Sequence, residues 1–175
     1  SISKVGVIGA GTMGNGIAQA FAVAGHDVIL TDIAQAPLDR GMKNVDGSLE
    51  RLVKKDKMTA DAKAATLARI TATTSLDALA AADLVVEAAT ENVAVKGKIF
   101  GQLEALCAPG ALLLSNSSHL EPERIFASSA DRGRTAVVHY FFPAERNYAL
   151  EVVPGKDTRE DVARWLLTFY EVIGK

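Results

Sequence analysis

Gly9, Gly11 and Gly14 stand at the spacing G-x-G-x-x-G, and Asp32 follows 18 residues beyond the last of them. Glycines so spaced allow a tight turn, a close approach of backbone to a pyrophosphate, and close packing of a helix on a strand. Thr12 and Met13 fall where that helix begins, whose free N–H groups and positive dipole end suit a diphosphate. A carboxylate at the position of Asp32 accepts hydrogen bonds from an adenosine ribose and repels a 2′-phosphate, so the group expected is NAD rather than NADP.

An alcohol oxidised by a nicotinamide needs a base for its hydroxyl proton, and imidazole, with an unperturbed pKa of about 6.5, suits that task. Three histidines compete for it. His26 falls in a helix-to-strand turn at the wrong end of the sheet. His119 follows the run Ser115-Asn116-Ser117-Ser118 and has no evident orienting carboxylate. His139 has Glu151 twelve residues on. A buried glutamate beside His139 would fix the ring and stabilise the imidazolium; the alternative is a core histidine and a rim glutamate on unrelated faces. The serine run could orient a substrate oxygen or a ribose, or could serve as a helix-capping turn.

These residues need elements to hold them. Val5, Val7 and Ile8 read as a buried strand that stops at Gly9. Met13, Ile17, Ala20, Phe21 and Ala24 mark one face of a helix, with Gly25 as its stop and Asp27 to Leu30 as the next strand. Leu38, Met42, Val45, Leu49 and Leu52 mark a long helix, followed by a charged turn over Lys54 to Lys57 and a short helix capped by Thr59. Ile70–Thr73, Leu84–Ala88, Leu112–Leu114, Thr135–Phe141 and Leu150–Val153 are strand candidates. Val95, Ile99, Leu103 and Leu106 predict a helix between the fourth and fifth strands; Pro122 suits the first position of a short one, and Val162 to Ile173 carry a last helical stripe. Alternating strands and helices predict an α/β fold of Rossmann type: a doubly wound, mostly parallel sheet with helices on both faces. In such sheets ligands lie beyond the carboxyl ends of the strands. That rule selects Gly9–Gly14, Asp32, Glu91–Asn92, Ser115–His119 and His139.

The 175 residues suffice for one domain with a sizeable core, and the composition, 49% apolar and 23% charged, is that of a soluble globular chain. A net charge of −2 offers no basic field for nucleic acid. No apolar run approaches the roughly 20 residues needed to span a bilayer, so no membrane role is expected. The N-terminus runs straight into a strand, leaving no room for a signal peptide. Cys107 is the single cysteine, so no intrachain disulfide forms; it reads as a helix-end residue. A reducing compartment is expected, the cytoplasm or, in a eukaryote, the mitochondrial matrix.

The motifs G-A-G-T-M-G-N-G-I-A-Q, E-A-A-T-E-N-V-A-V-K-G-K-I-F and S-N-S-S, with His139 and L-E-V-V, occur in that order. Together they resemble the 3-hydroxyacyl-CoA dehydrogenase family over essentially the whole chain, residues 1–175 matching its N-terminal NAD-binding domain. The resemblance implies NAD-dependent oxidation of an L-3-hydroxyacyl-CoA to a 3-ketoacyl-CoA, a step of fatty acid β-oxidation. It implies His139 as base, Glu151 as its partner and Ser118 on the substrate hydroxyl. It implies Asn116 near the nicotinamide, Glu91 and Lys96 as cofactor contacts, and Ser48 with Lys55 as CoA contacts, Lys54 being an equal alternative to Lys55. It further implies a homodimer formed mainly through an all-helical C-terminal domain absent from this chain, which alone would bind NAD with weak or no turnover. A β-hydroxyacid dehydrogenase of the 6-phosphogluconate-like class shares the glycine opening but typically uses a lysine base. A non-enzymatic dinucleotide-binding protein is a third reading. This chain departs from the family's usual G-x-H-F-F-N-P, with Val137 at the glycine and Phe142 at the asparagine. His119 replaces a small residue, and Ala144-Glu145-Arg146-Asn147-Tyr148 is unusually charged for its place.

Overall fold

The apolar run Val5–Ile8 forms β1 (Lys4–Ile8), which lies between β2 (Asp27–Thr31) and β4 (Leu84–Glu87) in a computed structural model that describes residues 2–175. Parallel neighbours on both sides and helices on both faces leave such strands no wet side, so they are apolar almost throughout. The seven-stranded sheet has the order β3-β2-β1-β4-β5-β6-β7, with β3 at Ile70–Thr73, β5 at Leu112–Ser115, β6 at Thr135–Tyr140 and β7 at Leu150–Pro154. All pairings are parallel except β6 with β7, which is antiparallel. The doubly wound α/β architecture expected from the sequence is the one observed.

Alternation along the strands divides the core in two. Val5, Val7, Leu84, Val86, Leu112, Leu114, Ala136 and Val138 share one layer with residues of α1 (Thr12–Val23), α2 (Gln35–Lys54) and α6 (Glu160–Val172). Ile8, Val85, Leu113 and Val137 face the other way, onto α4 (Val93–Leu106) and the short α5 (Pro122–Ile125). The remaining helix, α3 (Ala60–Ala68), begins as expected at Thr59, whose side chain accepts from the Ala62 N–H. Register aligns Thr73, Thr31, Ile8, Glu87, Ser115 and Val137 as one row across the parallel strands. This last row carries the polar residues, and the site lies beyond it.

The expected strand limits shift by one residue at several ends: β4 stops at Glu87, β5 extends to Ser115, and β6 stops at Tyr140. A 3-10 turn at Leu76–Ala81, without a strong sequence signature, precedes β4. His26 is a packing residue at the opposite end of the sheet, its ring edge-on to Phe21 and Phe169. Cys107 caps the end of α4 and is buried.

Candidate active site

The glycine turn is built from contacts that side chains would forbid. Gly9 has φ +98°, and a Cβ there would approach the Ala88 carbonyl oxygen to 2.7 Å. A Cβ on Gly14 would overlap the Gly9 carbonyl oxygen. The turn feeds α1, whose N-cap Gly11 supplies no side-chain hydrogen bond and whose first turn has no acid. Its leading N–H groups, at exposed Gly11 and Thr12 and half-buried Met13, thus face outward with the positive dipole end uncompensated. This arrangement fits a diphosphate.

Asp32 lies just past the end of β2. One carboxylate oxygen accepts from the Ala10 N–H at 2.9 Å and the other from the Ile33 N–H at 2.7 Å. The acid therefore braces the glycine turn and still has lone pairs for ribose hydroxyls. A cleft of 360 Å³ opens beside it, lined among others by Thr31, Ile33, Leu76, Val95 and Ile99. Its apolar walls suit a flat heterocycle, and the buried Thr31 hydroxyl has no partner among the described residues.

On the other side of β1 lie the serine turn and β6, which carries His139. His139 is directly opposite Glu151 in the β6–β7 ladder, so both side chains emerge on one face with Cβ atoms roughly 5 Å apart. No hydrogen bond joins them within 3.5 Å, and Glu151 is exposed. The expected burial of the carboxylate is therefore not observed, because β7 is the edge strand. His139 is half-buried, with its ring 4.2 Å from that of Phe141 between centroids. The next residue, Tyr140, turns into the opposite layer and donates to Tyr170 at 2.6 Å. Burial pushes the Tyr140 hydroxyl well above its ordinary range, so it stays protonated and does not compete as a base.

Asn116 accepts the Tyr140 N–H through Oδ1 at 3.0 Å. Ser117 donates to Glu91 at 3.1 Å and accepts the Leu120 N–H, so it fixes both the acid and the turn. Ser118 and His119 are exposed beyond it. Lys96 differs from expectation. It is fully buried, with Nζ bonded to Glu87, Ser115 and the Asn116 carbonyl. An ammonium with three protons so used has none left for a cofactor. Ser48 is buried on α2 and accepts from Gln19 Nε2 at 3.0 Å, while Lys54 and Lys55 are exposed at that helix's end.

The family model described as 3-hydroxyacyl-CoA dehydrogenase, NAD binding domain, matches residues 4–175. The chain belongs to this family. A 3-hydroxybutyryl-CoA dehydrogenase of Bradyrhizobium diazoefficiens is 40% identical over 174 residues, which is 99% of this chain and 59% of the relative. A 3-hydroxyadipyl-CoA dehydrogenase of Escherichia coli is 40% identical over 166 residues, 95% of this chain and 35% of the relative. Among solved structures, the (S)-3-hydroxybutyryl-CoA dehydrogenase of Ralstonia eutropha superposes with a TM-score of 0.97 at 39% identity, over 100% of this chain and 62% of that one. The chain thus spans less than two thirds of these relatives. NAD, expected from the glycines and Asp32, is the cofactor of the family domain.

Three residues that shape the site carry no role in the sequence reading. Glu87 was legible only as a strand residue, although an acid ending the apolar run Leu84–Val86 is a signal. Gln19 holds Ser48 from a helix with no evident polar purpose. Gly41 lies mid-helix in α2, where a Cβ would approach the Ala10 carbonyl oxygen to 2.8 Å; a glycine inside a helical pattern is a sign of such close approach. Among the described residues no helix is long and apolar enough to cross a membrane.

Proposed function

We propose that this chain is the NAD-binding domain, residues 1–175, of an enzyme that oxidises an L-3-hydroxyacyl-CoA to the 3-ketoacyl-CoA. The observation that carries this reading is the opposition of His139 and Glu151 in the β6–β7 ladder, at the sheet end that also bears the glycine turn. NAD, when bound, supplies the hydride acceptor. His139 takes the hydroxyl proton as the C3 hydrogen leaves with its electron pair. Glu151 orients the ring and balances the charge of the imidazolium. Exposed Ser118 is free to hydrogen-bond the substrate oxygen, and Asn116, whose NH2 group has no partner among the described residues, serves the nicotinamide end of the cofactor. Gly9, Gly11, Thr12, Met13 and Gly14 hold the diphosphate, Asp32 the ribose, and Glu91, held by Ser117, flanks the cofactor.

CoA falls to α2. Ser48 and Lys55 are seven residues apart, two helical turns and so one face, whereas Lys54 is turned away by about 100°. This favours Lys55 over Lys54 as the phosphate partner. The names of the relatives suggest short acyl groups, 3-hydroxybutyryl or 3-hydroxyadipyl. The relatives' greater length supports a following domain, which covers Glu151 and carries the homodimer interface; the compartment is the cytoplasm or, in a eukaryote, the mitochondrial matrix.

The test is NADH formation from 3-hydroxybutyryl-CoA by the full-length protein. His139→Ala lowers kcat by roughly 10²- to 10⁴-fold and leaves the NAD dissociation constant, measured by calorimetry, unchanged. Equal turnover in the variant would remove His139 as the base.

A further inference from the structure

A buried ion pair lies under the site, and the reaction itself does not use it. Lys96 Nζ donates to Glu87 Oε1 at 2.6 Å, to Ser115 Oγ at 3.0 Å and to the Asn116 carbonyl at 3.2 Å. Both charged side chains are completely buried. Ser115 Oγ donates in turn to Glu87 Oε1 at 2.7 Å. The second glutamate oxygen accepts from the N–H groups of Ala89 and Thr90, at 2.8 and 3.3 Å. Every strong donor and acceptor in the cluster is thus matched, as a charge pair taken out of water requires.

Three paths lead outward. Ala88 and Ala89 abut Gly9 closely enough to exclude a Cβ there, and the Ala88 N–H donates to the Ile8 carbonyl at 2.7 Å. The Asn116 N–H donates to the Glu87 carbonyl at 2.8 Å. The third path reaches the base. The β5–β6 register ends at Ser115 and Val137, two residues short of His139. Past that point, the Asn116 side chain accepting from Tyr140 N–H is what ties the carboxyl end of β6 back to β5.

We infer that Lys96 is a positioning residue: its ion pair with Glu87 holds Asn116, and Asn116 holds the end of β6 that carries His139 against the serine and glycine turns. The inference deepens the reading of His139 as the base and rests on it. Lys96 touches neither cofactor nor substrate in this role. Its effect is to fix three strand ends relative to one another.

Lys96→Met alone leaves a buried carboxylate unpaired and is expected to unfold much of the protein, so the informative variant is Lys96→Met/Glu87→Gln. It removes both charges: the glutamine oxygen takes the place that accepts from the 89–90 amides, and its NH2 group donates to Ser115 Oγ, which turns to accept. Amide hydrogen exchange is measured on the purified chain without ligand. The Tyr140 N–H loses protection about tenfold or more, the size of one weakened hydrogen bond, while the amides of Val7 and Leu30 keep theirs. Tyr140 protection that is unchanged, or that falls only in step with Val7 and Leu30, overturns the inference. In the full-length protein the same variant lowers kcat by roughly 10- to 100-fold with KM for the acyl-CoA within about twofold; an unchanged kcat also overturns it. A wild-type protein without turnover would overturn the assigned reaction instead, and the exchange experiment would still decide the role of Lys96.

Discussion

At the scale of single residues, the glycine turn depends on absences and the proposed base, His139, on an opposition. Gly14→Ala drives a methyl group into the Gly9 carbonyl, and backbone on both sides leaves nothing soft to yield. The variant is expected to lose about 1–3 kcal/mol of stability and to weaken NAD binding at least about tenfold, read by thermal denaturation and calorimetry. Asp32 braces Ala10, and under the proposed function it also offers oxygens to the ribose. Asp32→Ala should therefore weaken NAD by about 1.5–3 kcal/mol, the worth of a hydrogen bond to a charged group, while NADP binding weakens less. A variant that kept the full preference for NAD over NADP would show that Asp32 only braces the turn. Residues of this kind were readable from spacing alone, because the chemistry dictates the residue type. Lys96 was not, because its partners Glu87, Ser115 and Asn116 belong to other elements and meet it only in the folded sheet.

At the scale of elements, α2 is pinned against the glycine turn at one point, Gly41, where helix and loop backbones touch. Two helical glycines therefore answer the same substitution with opposite signs. Gly101→Ala in α4 meets open space and should stabilise by about 0.5–1 kcal/mol through helix propensity and a less flexible unfolded chain. Gly41→Ala gains the same propensity but presses on the Ala10 carbonyl, and should destabilise by about 1–3 kcal/mol. Parallel urea titrations of the two variants check the contrast; a stabilised Gly41→Ala would mean that α2 shifts freely. The helices and strands themselves were plain in the periodicity, since burial on one face or two leaves a regular mark. The crossing of α2 over the turn leaves none, for it depends on where a helix lies and not on what it is. For the same reason Glu151 could be paired with His139 by spacing, whereas its exposure follows from β7 being last in the sheet.

At the scale of the whole molecule, two carboxylates tie segments distant in sequence together: Asp83 holds the start of β1 and Glu104, on α4, holds the loop that leads to β6. Partial burial alone would raise the Asp83 carboxyl, but the Lys4 and Ser3 N–H groups outweigh it and hold it below its ordinary value. Burial likewise opposes, and the N–H groups of Ala130 and Asp131 with Arg134 overcome, in lowering Glu104. Depressed folded values mean stability that is present above the unfolded values, about 3.9 for Asp and 4.3 for Glu, and is lost as pH falls through the folded ones. Asp83→Asn/Glu104→Gln should lower the midpoint by a few degrees near neutrality, about 2–4 °C per kcal/mol, and the two melting curves should converge in strong acid. A gap that persists undiminished there would assign the loss to packing instead. The β6–β7 hairpin has a consequence of another order. Its ladder runs unbroken from Ala136–Pro154 to Tyr140–Leu150, so the segment 141–149 leaves and rejoins at the same rung. Its length and character can vary while His139 and Glu151 stay face to face. Phe142 and the charged tract Ala144–Tyr148 lie within that segment. Such a hairpin is a fixed jaw with an exchangeable tip: the tip can be rewritten while the opposed pair is inherited unchanged.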